Sequence, residues 1–311
     1  MTERGTRQTA IPHTSAGDGV VLPPWLVLAV AVTAMSWAGP LVRFTDAPAL
    51  AVATWRLVFS MGFIAIVLLV RRGAWQRVDL SRTEWALAVL SGLLLAGHFW
   101  SWIASLSLTS VSSSVALVST QPIFVALLSA TLLGERPTLR QWVGIVVAVA
   151  GAFVIAWGGF GRGAAPLLGD LLAVLGAILV SGYYVIGRRL RQRMDLWTYI
   201  GIVYGIAAAA LMLVLLSGGW EAAFHHQGRD WLVFLALAAG PMMLGHTGVN
   251  YALRHVRAYI ANLALLGEPV GATLIALLLP AIAEVPPVQT VIGGILIIGG
   301  IAAGVLGGRT R

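Results

Sequence analysis

Apolar residues run along this chain in blocks of about twenty, interrupted by short polar stretches, and each block is long enough to cross a hydrocarbon core ~30 Å thick as an α-helix rising ~1.5 Å per residue. Ten blocks are readable: Trp25 to Phe44, Leu50 to Val70, Glu84 to Leu106, Val111 to Leu133, Trp142 to Gly158, Leu167 to Ile186, Leu196 to Leu216, Asp230 to Leu253, Tyr259 to Leu279 and Thr290 to Val305. Several contain Gly or Pro, which helices in lipid tolerate when neighbours satisfy the freed backbone groups. The period-two alternation of a membrane β-barrel is absent. The pattern predicts an all-α membrane protein of ten transmembrane helices.

Composition agrees. The 311 residues are 59% hydrophobic and 10% charged, with a mean hydropathy of +0.89, too little polar surface to cover a soluble globule. Met1 to Leu22 is polar and holds no apolar core of a secretory signal, so residues 1–23 read as a disordered cytoplasmic tail. Cysteine is absent, which removes disulfide, thiolate and cysteine–metal chemistry together.

The net charge of +8 would suggest a nucleic-acid partner in a soluble domain, but here it sorts by loop. With the N-terminus inside, one side receives Arg4 and Arg7, Arg71 to Arg82, Arg136 and Arg140, Arg188 to Arg193, Arg254 and Arg257, and Arg309 and Arg311. The other side receives only Arg43, Arg162 and Arg229, with Arg56 inside a span. The positive-inside rule therefore predicts a multi-pass protein of a bacterial inner membrane with both termini cytoplasmic.

The halves repeat. Glu135, Arg136, Pro137, Arg140, Gly144 and Gly151 are echoed by Glu284, Val285, Pro286, Gln289, Gly293 and Gly300: the frame is kept and the arginines are lost. Five spans per half make the second copy enter from the opposite side, so a first repeat over 24–160 and an inverted second repeat over 161–308 are expected, related by a two-fold axis in the membrane plane. Gln121-Pro122 with its run to Gly134-Glu135-Arg136, then Trp142-Val143-Gly144, and in the second copy Gly267-Glu268-Pro269-Val270, carry a resemblance to the drug/metabolite transporter superfamily and its EamA-type ten-helix members. Trp55-Arg56 in the second span fits the same family. The likeness spans roughly residues 25 to 307, and the wealth of deep aromatics suggests a resemblance to the YddG-like aromatic amino-acid exporters. It implies a secondary transporter that exports amino acids or similar small metabolites by alternating access.

Polar residues inside apolar spans are costly, so each is a functional candidate. Glu268 is the acidic residue deepest in a span, able to carry a proton or to receive a substrate ammonium group, and its counterpart by position, Gln121, cannot titrate; Glu268 is the candidate coupling residue. Arg56 lies several residues inside its span and is a counter-ion candidate for a substrate carboxylate or for Glu268, against a reading as a snorkelling boundary charge. His98 and Trp102 share one face of the third helix, and His246 and Asn250 repeat that spacing on the eighth. Trp37, Tyr183 and Tyr184 occupy equivalent first and sixth helices, where rings could stack on substrate. Trp55 and Trp100 are also deep, whereas most other Trp residues mark membrane interfaces. Substrate-binding candidates are thus Trp37, Arg56, His98, Trp102, Gln121, Tyr183, Tyr184, His246 and Asn250. Gly300, Gly304 and Gly308 form a small-residue stripe, read as a packing face or a dimerisation face.

Intramembrane enzyme motifs are missing: there is no His-Glu-x-x-His, Gly-x-Ser-Gly or paired intramembrane aspartate, so neither metal nor catalytic residues are expected, and no cofactor. Expected partners are a small-molecule substrate and the lipid bilayer, with no nucleic acid, in a monomer or homodimer. A drug or nucleoside exporter, a facilitative channel and a non-transporting scaffold are the other classes open at this point.

Overall fold

A computed structural model describes residues 22–70, 80–278 and 288–306. It contains ten helices long and apolar enough to span a membrane: α1 (Pro24–Val42), α2 (Ala49–Val70), α3 (Arg82–Leu108), α4 (Val111–Leu133), α5 (Leu139–Ala156), α6 (Pro166–Leu190), α7 (Leu196–Ser217), α8 (Gly228–Ala252), α9 (Ala258–Ile275) and α10 (Val288–Leu306). These match the ten apolar blocks, and no strand occurs among the described residues. The chain termini, residues 71–79 with Arg71, Arg72 and Arg77, and Glu284, Pro286 and Gly308 lie outside the described residues.

Helix pairing carries the two-fold. α3 packs on α6, and its counterpart α8 packs on α1; α2 packs on α7, α4 on α9 and α5 on α10, each helix against its own equivalent in the other half. Five spans per half force the two copies to run in opposite directions, so the ten helices form two inverted five-helix repeats.

The glycine frame explains one of these pairs. A Cβ on Gly144 would stand 2.6 Å from the Gly300 carbonyl oxygen, and one on Gly151 would stand 2.6 Å from that of Gly293. Backbones this close tolerate only glycine, and the repeat's four spaced glycines meet one another across α5 and α10. Gly300 and Gly304 are therefore spent inside the molecule, Gly304 against Leu263 and Gly144, which corrects their reading as a dimerisation face.

Proline sets the breaks. Pro40, Pro122, Pro241 and Pro269 each lack the N–H that would bond the carbonyl four residues earlier. α1 accordingly divides at Ser36–Trp37, α4 divides at Ser119–Thr120 into Val111–Val118 and Gln121–Leu128, and α9 divides at Leu266–Gly267 into Ala258–Leu265 and Glu268–Leu278. Around Pro241, α8 winds instead as a π-helix from Ala238 to His246. The breaks in α4 and α9 are equivalent, each followed by Gln121-Pro122 or Glu268-Pro269. Those in α1 and α8 have no counterpart, because α6 (Pro166–Leu190) and α3 (Arg82–Leu108) run uninterrupted.

On the arginine-rich face, hydrogen bonds and an ion pair join the two repeats. Gly134, at φ 69°, ends α4 and turns the chain into Glu135. The Glu135 carboxylate pairs with Arg188 of α6 at 2.8 Å and accepts the Ala258 N–H at 3.3 Å, while Arg188 also donates to the Leu253 carbonyl. Gln141, in the capping box that starts α5, accepts from the buried Tyr259 hydroxyl at 3.1 Å. Arg257 donates to that hydroxyl, which raises its guanidinium further above the ordinary range and keeps it charged.

Candidate membrane cavity at the repeat interface

The broken helices α1, α4, α8 and α9, with intact α2, α3 and α6, meet around a cavity of ≈ 30 Å³. That volume is small, so the lining side chains meet closely. Arg56, His98, Trp102, Gln121, Tyr184, His246 and Glu268 all line it. The first four come from the first half and the last three from the second. Glu268 also lines a second, wider groove of ≈ 430 Å³ that runs between α1, α4, α5 and α9 to Arg43, Phe44, Val111 and Ser112. These last residues belong to the arginine-poor face, so the carboxylate stands between chamber and vestibule.

Arg56 is 1% exposed. Its guanidinium carbon lies 4.0 Å above the centroid of Phe99, and among the described residues its Nη2 reaches only the Met242 sulfur at 4.0 Å and its Nε and Nη1 have no hydrogen-bond partner. An aromatic face offers a cation some attraction but no lone pair, so two strong donors stay unspent at the cavity wall. No ion pair joins Arg56 to Glu268, although both line the chamber. Trp102, 5% exposed, adds a third unspent donor in its indole Nε1.

Hydrogen bonds orient the remaining wall. His98 donates from Nδ1 to the Gly176 carbonyl at 2.9 Å, which places the ring hydrogen there and leaves Nε2 for a ligand. Its ring lies parallel to Trp102, 6.3 Å between centroids at 6°. Tyr184 hydrogen-bonds His246 Nδ1 at 3.2 Å, and those rings are also near parallel, 6.1 Å apart at 11°. Gln121 is held at the α4 break, where Ser181 of α6 donates to its carbonyl at 3.1 Å. Ser36, at the α1 break, donates to the Glu268 carbonyl at 3.2 Å, so two helix breaks touch.

Three expected residues lie elsewhere. Trp37 follows the break in α1, where the helix loses phase, and is 37% exposed beside Leu41, Gly240 and Leu244 in an apolar groove on the outer surface. Tyr183 and Asn250 sit behind the cavity: the Asn250 amide donates to Tyr183, to Tyr204 at 3.3 Å and to the His246 carbonyl at 2.8 Å, which secures α8 against α6 and α7. Trp55 donates to the Ala223 carbonyl at 2.8 Å in an aromatic cluster with Phe224 and Trp231, and Trp100 is 42% exposed. Sequence reasoning missed Arg191, whose loop position suggested solvent: it is fully buried and donates to the Asn250 carbonyl at 3.1 Å. Met35, Ala38, Val118, Val180 and Pro241 complete the cavity wall without any sequence signal beyond the neighbouring prolines.

A model of the EamA-like transporter family matches residues 23–157 and then, a second time, residues 167–305. The chain belongs to the EamA-like transporter family. Matching one model twice in succession is what two copies of one five-helix unit require. The uncharacterized transporter YdfC of Bacillus subtilis (strain 168) is 28% identical over 206 residues, which cover 65% of this chain and 66% of that protein. The aromatic amino acid exporter YddG of Ancylobacter novellus is 26% identical over 215 residues, 68% of this chain and 73% of that one. A solved crystal structure shares the fold at a TM-score of 0.75 and 22% identity, covering 91% of this chain and 96% of its own. The EamA family is one of transporters, so the chain is a multi-pass membrane protein of transporter type rather than of an enzyme family.

Proposed function

We propose that this protein is a secondary transporter of a bacterial inner membrane that exports amino acids or similar small metabolites by alternating access. One observation carries the reading: polar and aromatic side chains from both repeats converge on a chamber among the spanning helices whose acidic member, Glu268, also lines a groove toward the arginine-poor face. Substrate-binding candidates are Arg56, His98, Trp102, Gln121, Tyr184 and His246, with Tyr183 and Asn250 as their support and Glu268 as the coupling residue. The repeats over 24–160 and 161–308 are the units that rock against each other. With both termini cytoplasmic, the vestibule faces outward and the tied face inward.

A carrier fits better than a channel. A continuous pore would need an opening on both faces, whereas the chamber is ≈ 30 Å³ and the arginine-rich face is bound by Glu135, Arg188 and Gln141. Counterflow in proteoliposomes tests the reading, using labelled amino acids and nucleosides with and without a pH gradient. Saturable flux of an amino acid, stimulated by the same solute on the far side, is expected, and in Glu268→Gln its dependence on the gradient is lost. Linear, voltage-driven conductance, or flux of nucleosides alone, would overturn it.

A further inference from the structure

α1 and α8 meet tightly along one line and leave a cleft beside it. On the tight line a Cβ on Gly245 would stand 2.5 Å from Met35 Cγ, and one on Gly248 would stand 3.1 Å from Ala31 Cβ. On the adjoining flank a Cβ on Gly240 would meet nothing within 4 Å. There the helices enclose ≈ 550 Å³, lined by Ala29, Thr33, Trp37 and Leu41 along one stripe of α1 and by Ala236 and Gly240 of α8. Val30, Trp37 and Leu244 on its rim are exposed, so the cleft opens to the outside of the helix bundle. Its lining is apolar, and the one hydroxyl, that of Thr33, is spent on the Ala29 carbonyl at 2.9 Å. In the two-fold-related α3–α6 pair leucines fill the seam: Leu94 lies 2.9 Å from the Cβ position of Gly182, and Leu179 lies 3.0 Å from that of Gly97. An apolar space of this kind holds no water, and left empty it would forfeit the dispersion contacts of its walls.

We infer that this cleft is a binding site for one acyl chain of a membrane phospholipid. Depth and length select that occupant. Both helices span the membrane, so the cleft faces hydrocarbon, and at ~1.5 Å per residue Ala29 to Leu41 extends ~18 Å. One leaflet contributes ~15 Å of the ~30 Å core, which is the reach of a single chain lying along α1. Leu41 stands next to the end of α1 at Val42, on the arginine-poor face, so the chain enters from that leaflet. A helix of a second copy, ~10 Å across with its side chains, would ride over the cleft and leave its floor at Gly240 unfilled. The back wall gives the site its consequence. Pro241 lines both the cleft and the chamber, and at the α1 break Trp37 lines the cleft while Met35 and Ala38 line the chamber. The bound chain therefore lies directly behind the break in α1 and the π-helical winding of α8. It supplies there the packing that Leu94 and Leu179 supply between α3 and α6, and it accounts for a tryptophan on the lipid side of the break.

The test is quenching of Trp37 fluorescence by a phospholipid whose acyl chains carry bromine near their middle, titrated into the detergent-solubilised protein. The Trp37 signal is the difference between wild type and Trp37→Phe. It should fall along a curve that saturates at about one lipid per chain, and thermal stabilisation by the same lipid should level off over the same range, as binding to the folded state requires. Gly240→Phe places a ring in the cleft and should remove most of the saturable quenching. Gly62→Phe on α2, an exposed position where a Cβ also meets nothing within 4 Å, should leave it unchanged. Quenching that grows without saturating, or that is equal in Gly240→Phe and wild type, would mean a lipid coat without a site and would overturn the inference. The wild-type titration reads this outcome without depending on any variant folding. Trp37 shielded from the brominated lipid, in a protein that light scattering shows to be a dimer, would give the cleft to a second copy and overturn it too.

Discussion

Trp102 separates what a cavity residue does for the fold from what it does for a ligand. Its ring packs against His98 in the wall, while its indole N–H reaches no acceptor among the described residues. Trp102→Phe keeps an aromatic ring and deletes the donor, and no protein hydrogen bond is lost in the exchange. Trp102 is 5% exposed, so the smaller ring leaves a gap in the wall and should cost about 1–2 kcal/mol of thermal stability, as loss of buried side-chain atoms does. A ligand hydrogen bond worth about 1 kcal/mol should disappear as well, which raises the KM of transport about fivefold. An unchanged KM in the folded variant would make Trp102 a structural residue only. At this scale the sequence was partly legible. Spacing on α3 placed His98 and Trp102 on one face, and the isolation of Arg56 and Glu268 in apolar spans flagged both as chamber residues. Trp37 and Asn250 were misplaced because a helical wheel assumes continuous phase: α1 breaks one residue before Trp37, and α8 shifts to π-helical winding up to His246. Arg191 was hidden because a loop arginine and a buried one that binds carbonyls read alike in sequence.

Among the elements, the α5–α10 pair converts a sequence motif most directly into packing. Gly144, Gly151, Gly293 and Gly300 were visible as a conserved frame between the two halves of one chain, but only their approach shows that the frame closes on itself. A methyl group on Gly144 would fall 2.6 Å from Gly300 O and 2.7 Å from Gly304 N, backbone atoms that cannot swing aside. Gly144→Ala should therefore force the helices apart and cost about 1–3 kcal/mol, as overpacking does. Gly62→Ala on α2 is the matched control, since nothing lies within 4 Å of its added carbon. Thermal unfolding of the two variants in the same detergent should show a clear drop for the first and none for the second. Similar behaviour of both would mean that α5 and α10 do not meet through these glycines. Prolines give the complementary lesson, for Pro40 and Pro241 were simply tolerated in the apolar blocks while Pro122 and Pro269 were read as motif residues, yet all four mark where the cavity helices divide or change their winding. Nothing in local sequence says whether a membrane proline will be absorbed, will break a helix or will widen it to a π-turn, because neighbouring helices supply the partners for the freed carbonyl.

For the whole molecule, the two-fold is complete in helix pairing and incomplete in stiffness. α3 and α6 form an unbroken pair, while their counterparts α8 and α1 each carry a proline-induced irregularity that faces the chamber. Rocking of one repeat against the other should then deform the α1–α8 side and carry the α3–α6 side as a rigid strut. Closure of the arginine-rich face rests on a small set of ties between the α4–α5 loop, the end of α6 and the α8–α9 loop, with Glu135 receiving both Arg188 and the Ala258 N–H. Glu135→Gln preserves the shape and removes the ionic acceptor. Losing a charged hydrogen bond worth about 1.5 kcal/mol should move the balance between the two faces roughly tenfold toward opening on the arginine-rich side. The chain has no cysteine, so Ala272→Cys on the vestibule wall provides a single reporter thiol. A charged, membrane-impermeant thiol reagent should modify Ala272→Cys from the arginine-poor face, and adding Glu135→Gln should slow that reaction while speeding it from the opposite face. Unchanged rates from both sides would show that the Glu135 ties hold the fold together without governing which face is open. The distinction matters because Glu135 takes both of its partners, Arg188 and the Ala258 N–H, from the other repeat, which is the placement a latch between two rocking units requires.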